Sequence, residues 1–221
     1  MYVGVLADPI ILGKQFPDAY LNSIPNAIEF TQDELEAING TADFYAVNEY
    51  TAQIVSPPVG GIEACQSNSA HPNWPFCVSQ TTVSPITGRA LGNYAANNAA
   101  NIPQFAIRSC LNYLWNTYKK PIIISEFGFP IPGESSATLA SIRYDTPRSE
   151  YYLAYLSEML KAMYEDGVKV IGALAWANFD NWEFGTWEQP YGLQYVNRTT
   201  QERYYKKSFF DFVNFFESRM G

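Results

Sequence analysis

The segment Pro121-Ile122-Ile123-Ile124-Ser125-Glu126-Phe127-Gly128 decides the fold. Its three consecutive isoleucines predict a strand that is buried on both faces, as the strands of parallel sheets are. Residues 42–48 and 170–176 predict two more buried strands, and helical patterns separate the three. This alternation predicts an α/β fold with about three parallel strands and long loops. No repeat or linker interrupts the pattern, so residues 1–221 are expected to form a single domain.

The helices are predicted from capping signals and from apolar residues at helical spacing. Thr31 and Glu34 predict a capping box at the start of a short helix. Longer helices are expected over 103–119, 147–167 and 204–218. A short strand is expected over 191–196. The other long stretches are rich in turn-forming residues and are expected to be irregular: 8–30, 51–101 and 127–146.

Charge and composition exclude several classes of function. Aromatic residues make up 16% of the chain. The 221 residues include 14 basic and 22 acidic ones, for a net charge of −8. This balance argues against binding of nucleic acid or of an anionic membrane surface, both of which need basic faces. No apolar run is long enough to cross a bilayer. Aromatic side chains in an acidic protein favour a neutral ligand.

The histidine and cysteine counts restrict the chemistry further. His71 is the sequence's single histidine and lies in a proline-rich stretch, which excludes multi-histidine metal sites and argues against a Ser-His-Asp triad. No metal or cofactor is expected. Cys65 and Cys77 lie 12 residues apart in a loop and are the candidates for a disulfide. Cys110 is expected to be an inert thiol on the apolar face of a helix.

Candidate functional residues lie where the predicted strands end. In parallel α/β folds the working residues occupy the carboxyl ends of the strands and the loops that follow. This rule selects Asn48-Glu49-Tyr50, Ser125-Glu126 and Trp176. A carboxylate directly after a buried strand is costly without partners. From the residues alone, Glu126 has two interpretations: a functional group, or a strand end that exits into solvent.

Five segments, in order along nearly the whole chain, resemble those of glycoside hydrolase family 1, the β-glucosidases. Residues 121–128 resemble the family's I-T-E-N-G segment, whose glutamate is the catalytic nucleophile. The other four segments and their counterparts are 7–17 (A-D-P-I…G-D-Y-P), 43–51 (D-F-F-G-L-N-Y-Y-T), 176–184 (W-S-L-x-D-N-F-E-W) and 191–208 (F-G-L-x-Y-V…R…K-x-S). Any one of these segments alone would be weak evidence for the resemblance, but all five in the family's order make a specific match.

The resemblance implies part of a (β/α)8 TIM barrel, containing its sixth to eighth strands and lacking the N-terminal barrel strands. It also implies a retaining β-glucosidase mechanism, with Glu126 as nucleophile and Tyr50 donating a hydrogen bond to it. A β-glucoside or a cello-oligosaccharide is the implied ligand. Trp176 would be a platform beneath the sugar ring, and Glu183 would accept bonds from two sugar hydroxyls. The implied substrate-binding residues are Asn48, Trp176, Glu183 and Phe184.

Three residues depart from the family's pattern. Phe127 follows the nucleophile where the family has asparagine. Phe184 stands where the family has a second tryptophan, which removes an indole N–H donor. Glu49 replaces an aromatic residue and is expected to set a carboxylate beside the site. The sugar preference of the family therefore does not transfer to this chain.

A larger departure is the general acid. The retaining mechanism needs a second carboxyl roughly 5 Å from the nucleophile. The family supplies it from T-x-N-E-P after its fourth strand, and no Asn-Glu-Pro occurs in this sequence. We therefore expect the chain alone to be inactive or weak as a hydrolase. Glu49 and Glu134 are alternatives for the acid, with no specific support.

Other interpretations follow from the same absence. The chain could instead be a non-catalytic carbohydrate-binding or accessory protein derived from a glycosidase, or a truncated product. Three parallel strands expose two edges, so self-association or pairing with a complementing N-terminal half is expected. The family and the cysteines imply the secretory pathway, although Met1–Ala7 lacks the basic start of a signal peptide.

Overall fold

The structure is a computed structural model that describes residues 2–22, 24–94 and 101–219. Its strands are β1 (Tyr45–Asn48), β2 (Ile54–Ser56), β3 (Ser79–Thr81), β4 (Asn93–Tyr94), β5 (Asn101–Ile102), β6 (Ile122–Phe127), β7 (Val170–Ala175), β8 (Gln194–Val196) and β9 (Arg203–Tyr205). Its helices are α1 (Tyr2–Ala7), α2 (Asp18–Leu21), α3 (Gln32–Ile38), α4 (Ile62–Gln66), α5 (Ala106–Tyr118), α6 (Leu139–Arg143), α7 (Thr146–Tyr164) and α8 (Lys207–Glu217). A π-helical segment covers Asp8–Leu12, and a 3₁₀ turn covers Glu134–Ser136.

The centre of the fold is a parallel sheet of three strands in the order β1-β6-β7. Tyr45 pairs with Ile122, and Ile122 in turn pairs with Val170, so the three strands begin at one level. The expected α/β sheet of about three parallel strands is therefore confirmed. The other paired strands form small antiparallel units: β2 with β3, β4 with β5 and β8 with β9.

The hydrophobic core lies between this sheet and the helices α5 and α7. Ile122, Ile124 and Phe127 of β6 are fully buried. They belong to one buried apolar cluster with α5 side chains (Ile107, Leu111, Leu114) and α7 side chains (Tyr151, Tyr152, Tyr155, Leu156, Met159). Burial of each large apolar side chain contributes about 1.5–3 kcal/mol, so this layer holds β6 in place.

The other face of the sheet is exposed, and there the prediction of strands buried on both faces was wrong. Side chains of β1 alternate between half-buried and exposed. In β7, Ile171 is 53% exposed and Leu174 is 55% exposed. The helices α5 and α7 cover one face, and no described residues form a second layer over the other. Apolar sequence cannot tell whether the layer that buries it belongs to the same chain.

Several short elements lie where irregular structure was expected. The π-helical segment and α2 occupy part of 8–30, and the 3₁₀ turn and α6 lie within 127–146. The range 51–101 holds β2, α4 and β3, although its residues 95–100 lie outside the described ones. The last helix begins at Lys207 rather than 204, because Arg203–Tyr205 pairs with β8 as a hairpin. Such elements depend on neighbours far along the chain.

Local signals predicted other features correctly. The capping box is confirmed: Thr31 Oγ1 accepts from the Glu34 backbone N–H at 3.3 Å, and Glu34 Oε2 accepts from that of Thr31 at 2.8 Å.

The structure joins Cys65 and Cys77 in a disulfide. Cys110 is only half-buried, and burial, with the nearby Glu49 adding to it, raises the pKa of its thiol to about 11. None of the described helices is long and apolar enough to cross a membrane.

Candidate active site

The carboxyl ends of the three parallel strands place the candidate residues along one rim of the sheet. Asn48, the last residue of β1, pairs with Glu126 in β6. Phe127 pairs with Ala175, the last residue of β7. The next residue, Trp176, donates its backbone N–H to the Phe127 carbonyl at 2.8 Å. The rule that selected these strand ends from the sequence therefore identified neighbouring residues.

Tyr50 and Glu126 form a hydrogen-bonded pair at this rim. The Tyr50 hydroxyl donates to Glu126 Oε2 at 2.8 Å, and both side chains are half-buried. Burial and then the hydrogen bond to Glu126 raise the pKa of Tyr50, so the phenol stays protonated and acts as a donor. Among the described residues, no donor reaches Glu126 Oε1. One carboxylate oxygen is thus held in place, and the other accepts no hydrogen bond from a described residue.

Trp176 and Glu183 form a second pair. The Trp176 indole donates from Nε1 to Glu183 Oε1 at 2.8 Å. Glu183 is buried and Trp176 half-buried. The Tyr152 hydroxyl of α7 donates to the Trp176 backbone carbonyl at 3.0 Å and so anchors this strand end to the core. The Trp176–Ala177 peptide is cis.

Tyr191 lies between the two pairs and was not assigned a role from the sequence. Its ring meets that of Tyr50 edge-on, with 5.9 Å between the ring centroids. Burial, followed by the neighbouring Glu183 carboxylate, raises the pKa of Tyr191. The available signal is its place at the start of the segment that resembles F-G-L. Through Tyr191 the four main candidates form one continuous cluster.

Asn48 and Phe184 are placed differently from these four. Asn48 Oδ1 accepts a hydrogen bond from the Ser125 hydroxyl at 2.6 Å, and its side chain is exposed at the rim. Phe184 is 89% exposed, has a positive φ of 45° and makes no ring contact with another described residue. The structure therefore brings Asn48 beside Glu126 but leaves Phe184 in solvent.

Glu49 does not lie beside the site, and the expectation that it would was wrong. Its side chain is 8% exposed and lies among Tyr151, Tyr155 and Cys110, on the helix-covered side of the sheet. Successive residues of an extended chain point to opposite faces, so Glu49 points away from its neighbour Tyr50. Burial raises the pKa of Glu49 to about 7, against a smaller lowering by the Tyr155 hydroxyl. Its Oε2 has no hydrogen-bond partner among the described residues.

Glu134 is equally unsuited to be the missing acid, because it belongs to a buried ion cluster. Arg148 Nη1 donates to Glu134 Oε1 at 3.1 Å, and Lys206 Nζ donates to the same oxygen at 2.8 Å. Burial acts to raise the pKa of Glu134, but the two cations outweigh it and the net shift is downward. Glu134 is therefore an ionised structural group.

The ion cluster also holds the loop that carries Glu183. Lys206 Nζ donates to Asp180 Oδ1 at 2.8 Å, and that oxygen accepts the Gly192 backbone N–H at 2.9 Å. Arg148 in turn donates to the Pro190 carbonyl at 2.8 Å. Both ends of the loop after Trp176 are thus tied to charged residues on other elements. The cluster positions the site without taking part in it.

No group of three or more His, Cys, Asp or Glu side chains suited to a metal ion occurs within the described ranges. His71 is used locally in its loop: Nε2 lies 3.1 Å from the Val59 carbonyl, and Nδ1 accepts the Asn73 backbone N–H at 3.1 Å.

Comparison with known proteins identifies the family of the chain. The chain belongs to glycosyl hydrolase family 1, whose sequence profile matches residues 1–220. It is 35% identical over 209 residues to β-glucosidase 1B of Phanerodontia chrysosporium, covering 93% of this chain and 36% of that protein. It is 32% identical over 210 residues to β-glucosidase 38 of Oryza sativa subsp. japonica, covering 93% of this chain and 40% of that one.

Solved structures show the same relation. The fold matches β-glucosidase 2 of Trichoderma reesei in complex with Tris with a TM-score of 0.88 and 27% identity, over 99% of this chain and 46% of that chain. It also matches a family 1 β-glucosidase of Humicola insolens in complex with glucose, with a TM-score of 0.86 and 28% identity. That match covers 97% of this chain and 44% of the other. The chain spans between 36% and 46% of the length of these four relatives. Its fold is accordingly part of the family's (β/α)8 barrel: the described residues form a sheet of three parallel strands and do not close a barrel.

Proposed function

We propose that this chain supplies the nucleophile side of a retaining β-glucosidase active site. Glu126 is the nucleophile, Tyr50 holds its carboxylate, and Trp176 and Glu183 bind the sugar. The observation that supports this most directly is the 2.8 Å hydrogen bond from Tyr50 to Glu126 at the rim of the parallel sheet. It fixes one oxygen of a carboxylate in the place where parallel barrels carry their chemistry.

The proposed reaction has two steps. In the first, Glu126 Oε1 forms a bond to the anomeric carbon while the bond to the leaving-group oxygen breaks, and a general acid gives that oxygen a proton. In the second, water attacks the anomeric carbon and the ester bond to Glu126 breaks. The residue that served as general acid in the first step now acts as a base and takes the proton from water. Trp176 offers its ring face to the sugar, and Glu183 accepts from sugar hydroxyls.

The general acid is proposed to come from outside these 221 residues, either from a segment continuous with them or from another chain. Neither alternative within the sequence supports an acid role, since Glu49 lies under the helices and Glu134 is ionised in its cluster. The uncovered sheet face fits the same proposal. Phe44 and Leu174 are each about half exposed there, and the remainder of a family barrel would cover them.

Complementation tests this proposal. The chain is mixed with a separately produced segment of the P. chrysosporium β-glucosidase, namely the part that this chain does not match. We expect aryl β-glucoside hydrolysis from the mixture and almost none from either part alone. Glu126→Gln should abolish the gained activity, whereas Glu63→Gln, at an exposed glutamate of α4, should leave it unchanged. Strong hydrolysis by the chain alone would contradict the need for an external acid.

Covalent labelling tests the nucleophile separately. A dinitrophenyl 2-deoxy-2-fluoro-β-glucoside has a leaving group that departs without acid catalysis, so the first step needs only the nucleophile and the sugar site. We expect one fluoroglucosyl group to attach to Glu126, located by peptide mass spectrometry in the complemented protein. Labelling of another carboxylate, with Glu126 unmodified, would assign the nucleophile elsewhere.

A non-catalytic sugar-binding role is the second candidate. It is favoured by the Trp176–Glu183 hydrogen bond, which forms a sugar-binding pair within this chain alone. In this case glucose or cellobiose should change the tryptophan fluorescence of the chain, and Glu126→Gln should keep that change. The two candidates differ in the complemented protein, because only the catalytic one predicts hydrolysis that Glu126→Gln removes.

A further inference from the structure

The outer side of the loop after Trp176 forms a depression of about 420 Å³ together with the β8–β9 hairpin. Its volume falls within the range of small-molecule sites in proteins. The lining contains none of Tyr50, Glu126, Trp176 or Glu183. Its main side chains are Phe179, Asn181, Trp182, Trp187, Arg198 and Arg203.

Two arginines of the lining are held in place by aromatic rings. The Arg198 guanidinium lies over the Trp187 ring at 3.9 Å from its centroid and also donates to the Trp187 carbonyl at 3.5 Å. The Arg203 guanidinium lies over the Phe179 ring at 4.8 Å. Stacking of this kind orders a long side chain while its N–H groups remain free to donate.

These two arginines have no carboxylate partner among the described residues, unlike Arg108 and Arg148, which form ion pairs. The one carboxylate in the described lining, Asp180, is buried and paired with Lys206. Two ordered guanidiniums without a carboxylate partner therefore make a local positive site on a protein of net charge −8. Guanidinium groups bind carboxylates with paired hydrogen bonds. Both guanidiniums are exposed, so an anionic group of a ligand can reach them from solvent.

The rest of the lining indicates what accompanies the anion. Asn181 Oδ1 is buried and has no hydrogen-bond donor among the described residues, so a hydroxyl of a ligand could supply one after a small side-chain rotation. Trp182 packs edge-on against Trp187, with 4.8 Å between the ring centroids, and is 53% exposed. An exposed indole face suits the C–H face of a sugar ring.

We propose that this depression binds an acidic saccharide, a sugar whose carboxylate is bound by Arg198 and Arg203, whose hydroxyls reach Asn181 and whose ring lies against Trp182. This site is distinct from the proposed active site and does not depend on catalysis.

Calorimetric titration of the full 221-residue chain tests the proposal with two matched ligands. Cellobiouronic acid carries a carboxylate where cellobiose carries a hydroxymethyl group, and the two are otherwise alike. We expect the acid to bind at least tenfold more tightly than cellobiose. The double variant Arg198→Gln/Arg203→Gln should weaken binding of the acid at least tenfold, and each single variant of the pair should weaken it several-fold. Arg89→Gln removes one charge, as each single variant does, at an exposed loop arginine and should change binding less than twofold.

A third variant separates this site from the proposed active site. Trp176→Ala should leave the affinity for the acid within twofold, since Trp176 is not in the lining. The proposal is overturned if cellobiose binds as tightly as the acid, if the double variant binds the acid normally, or if Arg89→Gln weakens binding equally through net charge alone. Loss of acid binding in Trp176→Ala would place the ligand in the active site and overturn it as well.

Discussion

Gly128 and the Trp176 carbonyl oxygen approach so closely that a β-carbon on residue 128 would lie 2.0 Å from that oxygen. No side chain fits this gap, and the obstacle is backbone, which cannot rotate away. The end of β6 can therefore lie against the start of the loop that carries Glu183 only because residue 128 is glycine. The spacing between the Glu126 pair and the Trp176 pair depends on this contact.

Gly128→Ala is the first prediction that follows. The added methyl must displace the Trp176 backbone, and overpacking of this kind costs about 1–3 kcal/mol of unfolding free energy. We expect a loss at the upper end of that range in urea denaturation, with weakened glucose binding. The control is Gly172→Ala, where the nearest atoms would be Ile123 side-chain carbons at 3.4 Å. Equal stability of the two variants would contradict the prediction.

Tyr50→Phe removes the donor to Glu126 without changing the packing of the ring. A hydrogen bond to a charged group contributes about 1.5–3 kcal/mol, which corresponds to a ten- to hundredfold change in rate. We expect fluoroglucoside labelling of Glu126 in the complemented protein to slow by that factor. Tyr164→Phe, at a tyrosine that is 81% exposed, is the control and should label at the normal rate. An unchanged rate in Tyr50→Phe would show that the bond does not assist Glu126.

Glu49 should make the stability of the chain fall as the pH rises. Burial raises its pKa from 4.5 to about 7 in the folded state, so the unfolded chain ionises first. The stability from the neutral carboxyl is complete below about pH 4.5 and is lost progressively until about pH 7. The shift corresponds to about 3 kcal/mol.

Glu49→Gln tests this effect, because glutamine has the same shape and does not titrate. We expect the difference in unfolding free energy between variant and wild type to grow by about 3 kcal/mol from about pH 4 to about pH 8 in favour of the variant. Glu63→Gln, at an exposed glutamate, should follow the wild-type curve. Parallel curves for Glu49→Gln and wild type would mean that Glu49 is not buried as described.

Lys206→Met should be strongly destabilising, because it leaves Glu134 and Asp180 with one cation fewer inside the protein. Breaking a buried ion pair on one side costs about 3–5 kcal/mol. Lys161→Met is the control, since its pair with Glu158 is partly exposed and such pairs contribute less than about 1 kcal/mol. Urea unfolding at neutral pH measures both. Similar small losses would show that the cluster does not stabilise the loop it holds.

The sequence predicted what local patterns encode. The isoleucines before Glu126 defined a strand, and the rule for strand ends then placed Glu126 and Trp176 on one rim. The capping box at Thr31 needs only residues within one helical turn. The family resemblance implied that Tyr50 donates a hydrogen bond to Glu126, and the structure has that bond. The bond from the Trp176 indole to Glu183 was not predicted.

The remaining features depend on contacts between distant residues. Lys206 bonds to Glu134, which lies 72 positions away in the chain, and no sequence pattern near either residue predicts that contact. The exposure of Ile171 and Leu174 could not be foreseen, because an apolar residue looks the same whichever chain covers it. For Glu49 a signal did exist: the two-residue period of extended chain already placed it opposite Asn48 and Tyr50.

The direction of the strands limits how the sheet can be extended. β1 and β7 are its two borders, and both run toward the Glu126 rim. An added strand that runs parallel to β1 and β7 would end at that rim. The loop after it would then lie beside Glu126, where the proposed external acid is needed. An added antiparallel strand would begin at the Glu126 rim, so the loop that follows it would lie at the opposite end of the sheet. If the proposed external acid lies on the loop that follows a strand, as Glu126 and Trp176 lie at strand ends here, that strand must therefore be parallel to β1 and β7.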